Sequence, residues 1–410
     1  MRILFASTSP GALQSGSNSY FGVGWMSSLQ GLLEEEKGIE LAMAFPTGEN
    51  LPSGKRYGKT HYFPLYRPGR SPLGKLAYYY GGYRKLLSED NISNLLIPVI
   101  ESFQPDLIHI FGTESDIPLV MMHTDVPCLI HLQGLLGACH RAFFPPDIDE
   151  KTFRREFVNI RENVLRNGIR FNYREMGVRA EREEEYIRRC RFFMGRTDWD
   201  KAYVLSRNPG ATYFHVDEVL RPPFYEAEKW RAKERSLTIV STISDALYKG
   251  FGLILRTASI LKDMVDDFTW TVIGVNPSDP TVRFFEKHYG ISHTEVNVEC
   301  AGVLPAERII PLLQQASVFV HPSYIDNSPN SLCEAQYLGV PAVATDVGGI
   351  STLMASQPWN LVPPGDPHAL ASRIMRITPE DNQMSDALVR HDKKVIRDGI
   401  VSAYEFILNH

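Results

Sequence analysis

At 410 residues the chain exceeds what one ordinary hydrophobic core supports, so two or more domains are expected. With 22% charged and 43% hydrophobic residues it has a soluble globular composition, which excludes long disorder. The net charge is −5, yet residues 50–88 hold eight Lys/Arg and no Asp or Glu, and residues 151–207 hold 15 Lys/Arg against 9 Asp/Glu.

The N-terminal MRILFAST reads as a first core strand, its apolar run being too short for a signal peptide. In the first half, further strand-like runs fall at Ile39–Phe45, Leu107–Phe111, Cys128–Leu132 and Phe192–Met194. A helix is expected over Trp25–Glu36, where Met26, Leu29, Leu32 and Leu33 recur at helical spacing. The charged stretch 151–190 predicts one or two long helices lying on the surface. Around residues 221–236 a proline pair and a polar, charged run read as a linker. A second series follows, with strands Leu237–Thr242, Trp270–Ile273, Val318–Val320 and Ala342–Ala344 and helices near 252–263, 280–290, 305–315 and 329–338.

Strands alternating with helices imply parallel βαβ units. The expected architecture is α/β, two doubly wound Rossmann-like domains facing across a cleft. The first covers 1–222, the second 237–385, joined by a linker over 223–236. In such sheets ligands bind beyond the carboxyl ends of the strands. The run Ile309 to Ile325, free of Asp, Glu, Lys and Arg, carries two Gln, two Ser, a His and two Pro, so no membrane span is expected there. Five scattered cysteines without metal-ligand spacing point to a reduced, cytoplasmic compartment and to no zinc site.

After the run Val318–Val320 comes HPSYIDNSPNSLCEAQYLG. Ser328 suits an N-cap and Pro329 the first helical position, leaving the backbone N–H groups of Asn330 and Ser331 free at the helix start. Such a terminus attracts phosphate through its unpaired donors and the helix dipole. Asp326 precedes the helix and Glu334 follows eight positions later, so carboxylates flank a diphosphate-sized space. An ordinary capped helix with a buried Glu accounts for the same spacing equally well.

The stretch closely resembles the E-x7-E motif of retaining family 4 glycosyltransferases with the GT-B fold (glycosyl transferases group 1), including the following LGVPAVATDVGG. The resemblance implies that Asp326, in the place of the family's first Glu, faces the donor sugar and that Glu334 binds the ribose hydroxyls. STISDALYKGFGLILRTASIL resembles the family's strand-loop-helix with a diphosphate-binding Lys, here Lys249; Ser244 stands where the family often has Arg. VIG, ending at Gly274, and AGVLP, with Val303 and Leu304, resemble the loops lining the nucleotide. GVGW, with Gly22 and Gly24, resembles the family's glycine-rich loop on the acceptor or diphosphate side. IHLQG resembles the strand end bearing an active-site His, here His131, and AYEFIL the last helix, which would bring residues ~390–410 back onto the first domain.

The resemblance implies a nucleoside-diphosphate-sugar donor, transfer with retention to a glycan or lipid-linked acceptor in cell-surface polysaccharide synthesis, and no cofactor or metal. Two other readings stand beside it, a nucleotide-sugar epimerase of the same fold and a non-catalytic nucleotide-sugar binder. Two D-x-D tripeptides, at 147–149 and 198–200, are too short to mark a metal site. The basic stretch 50–88 is rich in tyrosine, a composition suited to an anionic membrane surface as well as to solvated cations around half-buried rings. Nucleic acid is the poorer partner for this charge, since no nucleic-acid module is recognisable.

Overall fold

Apolar runs without internal charge become strands buried on both faces, and the segments between them wrap those faces. The computed structural model describes residues 1–13, 23–67, 92–156, 169–232, 236–265 and 267–410. Its contacts divide the chain into two units. One comprises Met1–His140, Asn159–Val219 and Asp392–His410, the other Arg141–Val158 and Leu220–His391.

The first unit holds an eight-stranded sheet of β1 (Arg2–Ala6), β2 (Glu40–Thr47), β3 (Lys55–Tyr57), β4 (Thr60–Tyr66), β5 (Leu107–Phe111), β6 (Cys128–His131), β7 (Phe192–Gly195) and β8 (Thr212–His215). Their spatial order is β3-β4-β2-β1-β5-β6-β7-β8, with only β3 antiparallel to its neighbour. In register, Ile3 lies opposite Leu41 on one side and Leu107 on the other. The direction of winding reverses between β1 and β5.

The second unit holds β9 (Leu237–Thr242), β10 (Phe268–Ile273), β11 (Val298–Gly302), β12 (Val318–His321), β13 (Ala342–Thr345) and β14 (Leu361–Val362), all parallel, in the order β11-β10-β9-β12-β13-β14. This is the doubly wound order, and its reversal lies between β9 and β12. A buried polar link ties these central strands. Ser241 on β9 donates to the Val320 carbonyl at 2.7 Å and accepts from the Trp270 indole at 3.0 Å.

Several expectations change. β3, β4, β8, β11 and β14 were not foreseen, because each is short, polar or aromatic rather than a plain aliphatic run. Within β4, Tyr62, Phe63 and Leu65 are buried, so part of the basic and aromatic stretch is sheet core. Residues 68–88 of that stretch lie outside the described residues. The charged segment 151–190 forms helices Glu150–Glu156 and Ile169–Arg189. The second does not simply lie on the surface, since Glu183, Tyr186 and Ile187 are fully buried.

Residues 223–236 are not a free linker where described. Pro222–Glu226 is helical, Phe224 lies in the second unit's core and the Trp230 indole donates to the Ala316 carbonyl at 2.7 Å. Arg141–Val158, expected in the first domain, belongs to the second unit. There Phe153 packs on Phe284, and Asp147 accepts from the Tyr289 hydroxyl at 2.8 Å. The helix Lys393–Leu408 belongs to the first unit, where the Tyr404 hydroxyl meets His109 Nδ1 at 2.6 Å. Among the described residues no helix is long and apolar enough to cross a membrane.

Candidate active site

The two loops that leave β9 and β12 meet at the reversal of the second sheet, the place where open α/β sheets bind ligands. The first loop runs past half-buried Ser244 into a 3₁₀ turn, Leu247–Lys249, and then Gly250. Gly250 has φ +87°, and a side chain there would run into the carbonyl oxygen of Pro322. Only glycine therefore lets this loop abut the loop after β12. The close approach sets Lys249 Nζ 2.6 Å from Asp326 Oδ2, with His321 Nε2 3.1 Å from the same oxygen. Asp326 Oδ1 accepts from the Asn327 backbone N–H at 3.1 Å. Burial by itself raises the Asp326 pKa, but the Lys249 ammonium and His321 outweigh it and hold the carboxyl well below the usual carboxylate range.

The following helix spans Asn330–Leu338, one residue later than expected. Pro329 occupies the N-cap position and no side chain caps the helix, so Ser328 does not take the predicted role. Asn330 and Ser331 are half-buried at its start, and from Leu332 to Leu338 every residue is buried. Glu334 is 4% exposed and forms a two-point pair with Arg221, Nε to Oε1 and Nη2 to Oε2, both 2.7 Å. Burial pushes the Glu334 carboxyl upward and the guanidinium opposes it.

Gly274 closes β10 with φ +99°, and any Cβ there would strike the Ile243 carbonyl oxygen. Its N–H donates to Gly302 at 2.7 Å, which joins the loops after β10 and β11. Beyond Gly302, Val303 is exposed and Leu304 half-buried. The structure thus gathers Lys249 and Asp326 into one cluster, with Ser244, Gly274, Val303 and Leu304 on loops and Asn330 and Ser331 at a helix start along the same carboxyl edge.

In the first unit, His131 ends β6 and is 1% exposed. Its Nδ1 lies 3.2 Å from His109 Nε2, the two rings are stacked, and Trp25 packs edge-on. Its Nε2 lies 3.9 Å from Glu218, which pairs with buried Arg196 at 2.9 Å. Burial and the Arg196 charge bring the His131 pKa down to about 3, so the ring is neutral. Such surroundings make a packed strand histidine of the residue expected at an active site. Gly24 lies in the first turn of helix Val23–Glu34, while Gly22 falls outside the described residues.

Beyond β5, half-buried Glu114 is raised to about 7 by burial, against backbone hydrogen bonds and with the help of Glu183. Glu183 itself accepts from Thr113 Oγ1 at 2.6 Å and from the Leu136 and Gly137 N–H groups, both at 2.9 Å. It thereby caps helix Leu136–Arg141.

Both D-x-D tripeptides have structural partners. Asp147 pairs with Arg256 at 3.3 Å as well as with Tyr289. Asp149 accepts from Thr152 N–H at 2.6 Å, and Asp200 accepts from the Arg196 N–H at 3.2 Å. Among the described residues no group of three His, Cys, Asp or Glu is placed to hold a metal ion. Arg221 and His321 escaped the sequence reading. Arg221 is adjacent to the proline pair that suggests a linker, and its partner lies 113 positions away. His321 stands within the HPSYIDN motif, but only the fold shows that its ring turns onto Asp326.

Two doubly wound, mainly parallel sheets give the chain a GT-B fold. Residues 234–379 match the family model Glycosyl transferases group 1. A protein of Escherichia coli K12 named for colanic acid biosynthesis, the glycosyltransferase WcaL, is 27% identical over 176 residues, 41% of this chain and 43% of its own length. The chain therefore matches less than half the length of that relative. Among solved structures, sucrose-phosphate synthase of Thermosynechococcus elongatus superposes with a TM-score of 0.66 at 14% identity, covering 100% of this chain and 97% of its own. A trehalose-6-phosphate protein of E. coli, bound with UDP-2-fluoro glucose, gives 0.64 at 11% identity over 99% of both chains.

Proposed function

We propose that the chain is a retaining glycosyltransferase that moves a hexosyl or related group from a nucleoside-diphosphate sugar to a glycan or lipid-linked acceptor in cell-surface polysaccharide synthesis. The Lys249–Asp326 pair at the reversal of the second sheet is the observation that carries this reading. An ammonium held there neutralises the diphosphate as the glycosidic bond breaks, and the positive end of the dipole of helix Asn330–Leu338 favours the same charge. The loops through Gly274, Val303 and Leu304 receive the nucleoside, and Ser244 offers a hydroxyl in place of a second cation. Asp326 faces the sugar, positioned by His321 and Lys249. Same-face attack, in which the departing phosphate oxygen takes the acceptor's proton, asks the protein only to position and to stabilise charge.

The family match, the relative named for colanic acid and the neighbour bound with UDP-2-fluoro glucose support the reading. So does the resemblance of residues 241–261 and 321–349 to the family's motifs. The proposed reaction uses no metal or cofactor and takes place in the cytoplasm, where anionic lipid attracts the basic stretch 50–88. Flotation with neutral and anionic vesicles checks that attraction; equal recovery refutes it.

The central test is a melting screen against UDP, GDP, ADP and their sugars, followed by donor turnover with and without EDTA. Ligand at about a hundred times its Kd stabilises by roughly 2.7 kcal/mol. A shift by one diphosphate, with EDTA-resistant turnover and a retained anomer, is expected. No shift by any of them refutes the donor site.

A further inference from the structure

Glu334 and Arg221 form a two-point ion pair, with side chains 5% and 22% exposed. Its surroundings make it a poor device for stability. Helix Asn330–Leu338 is otherwise packed through Leu332, Cys333, Ala335 and Leu338, and taking two charges out of water there cancels much of their attraction. Arg221 is itself held in place, as the N-cap residue of helix Pro222–Glu226 with its guanidinium 5.0 Å from the buried Phe224 ring. Among the described residues Arg221 is the only hydrogen-bond partner of Glu334. A carboxylate accepts about four hydrogen bonds, and Arg221 uses two of them.

We propose that Arg221 is a positioning residue for donor recognition, fixing Glu334 so that its two remaining acceptor sites take the hydroxyls of the donor's ribose. The inference rests on the donor-site reading above and adds to it a residue that neither the motif nor the comparisons assign. A planar guanidinium bonded to both oxygens sets the rotation of the carboxylate; a lysine, bonding at one point, does not. Arg221 also opposes the upward push that burial gives the Glu334 carboxyl. A vicinal diol with two O–H donors matches a carboxylate with two open sites.

Arg221→Gln and Arg221→Lys test this by affinity for UDP, GDP and ADP against dUDP, dGDP and dADP. The wild type is expected to prefer the ribo form about 10- to 100-fold, the span of a hydrogen bond to a charged group. In Arg221→Gln the ribo form weakens until the ratio is near one, while the deoxy form binds as it does to the wild type. Arg221→Lys, which keeps the cation, is expected to lower the ratio at least threefold, and it decides the matter if Arg221→Gln does not fold. A ratio unchanged from wild type in the folded variants, even with all affinities reduced, overturns the inference and leaves Arg221 a structural residue. A wild type that binds ribo and deoxy forms alike overturns it too. Failure of the wild type to bind any of the six overturns the donor-site reading instead.

Discussion

Replacing Lys249 by Met separates what the Lys249–Asp326 pair does for the fold from what it does for chemistry. The ammonium and carboxylate are 2.6 Å apart, with side chains 21% and 13% exposed. Removing one partner of a buried pair costs about 3–5 kcal/mol, since the other charge stays uncompensated. Here the residual exposure and the His321 contact reduce the expected loss to about 2–4 kcal/mol. The sign with pH follows from the depressed Asp326 carboxyl. A folded pKa below the unfolded value of 3.8 gives stability present above pH 3.8 and lost as pH falls toward the folded value. In Lys249→Met the carboxyl titrates higher, so the deficit is largest near pH 7 and narrows toward pH 4. Urea unfolding at pH 7, 5.5 and 4 measures it. Lys249→Met/Asp326→Asn is expected to recover most of the stability but none of the turnover, which falls about 10²- to 10³-fold when a charge-stabilising donor is lost. A single variant as stable as wild type at pH 7, or a double variant that recovers nothing, refutes the Coulombic argument.

Two further outcomes follow from the geometry. Glu114→Gln is expected to raise stability at pH 8 by about 1–3 kcal/mol, because a carboxyl raised from 4.5 to about 7 makes the native state lose stability as pH rises across that window. The gain fades as pH falls through 4.5 and is gone below it, where the carboxyl is protonated in both states, and a pH-independent difference in melting refutes the assignment. Gly274→Ala joins a left-handed backbone to a clash with the Ile243 carbonyl, so a loss of about 2–4 kcal/mol in urea is expected. A variant within about 0.5 kcal/mol of wild type, the ordinary scatter of neutral substitutions, contradicts the clash.

The sequence by itself determined the repeating strand and helix pattern of both units. An aliphatic run such as Val318–Val320 can only be a buried strand, and glycine and proline mark where such runs stop. It also marked Lys249, Asp326 and Glu334 as candidates, since the motifs around them are local. Edge elements such as β11 and β14 were hidden, because a short, half-exposed strand needs no apolar run. Pairings across the chain were hidden as well. His131 looked like an active-site residue at a strand's end, yet His109, Trp25 and Glu218, brought from three other segments, surround it, and burial with the Arg196 charge keeps it neutral. Arg141–Val158 follows a first-unit helix in sequence but joins the second unit through Asp147 and Phe153. Glu334 read as a free acceptor until Arg221, 113 positions earlier, was found holding both its oxygens. Local chemistry is written in neighbouring residues, whereas burial and partnership are set by segments that meet only when the sheets close.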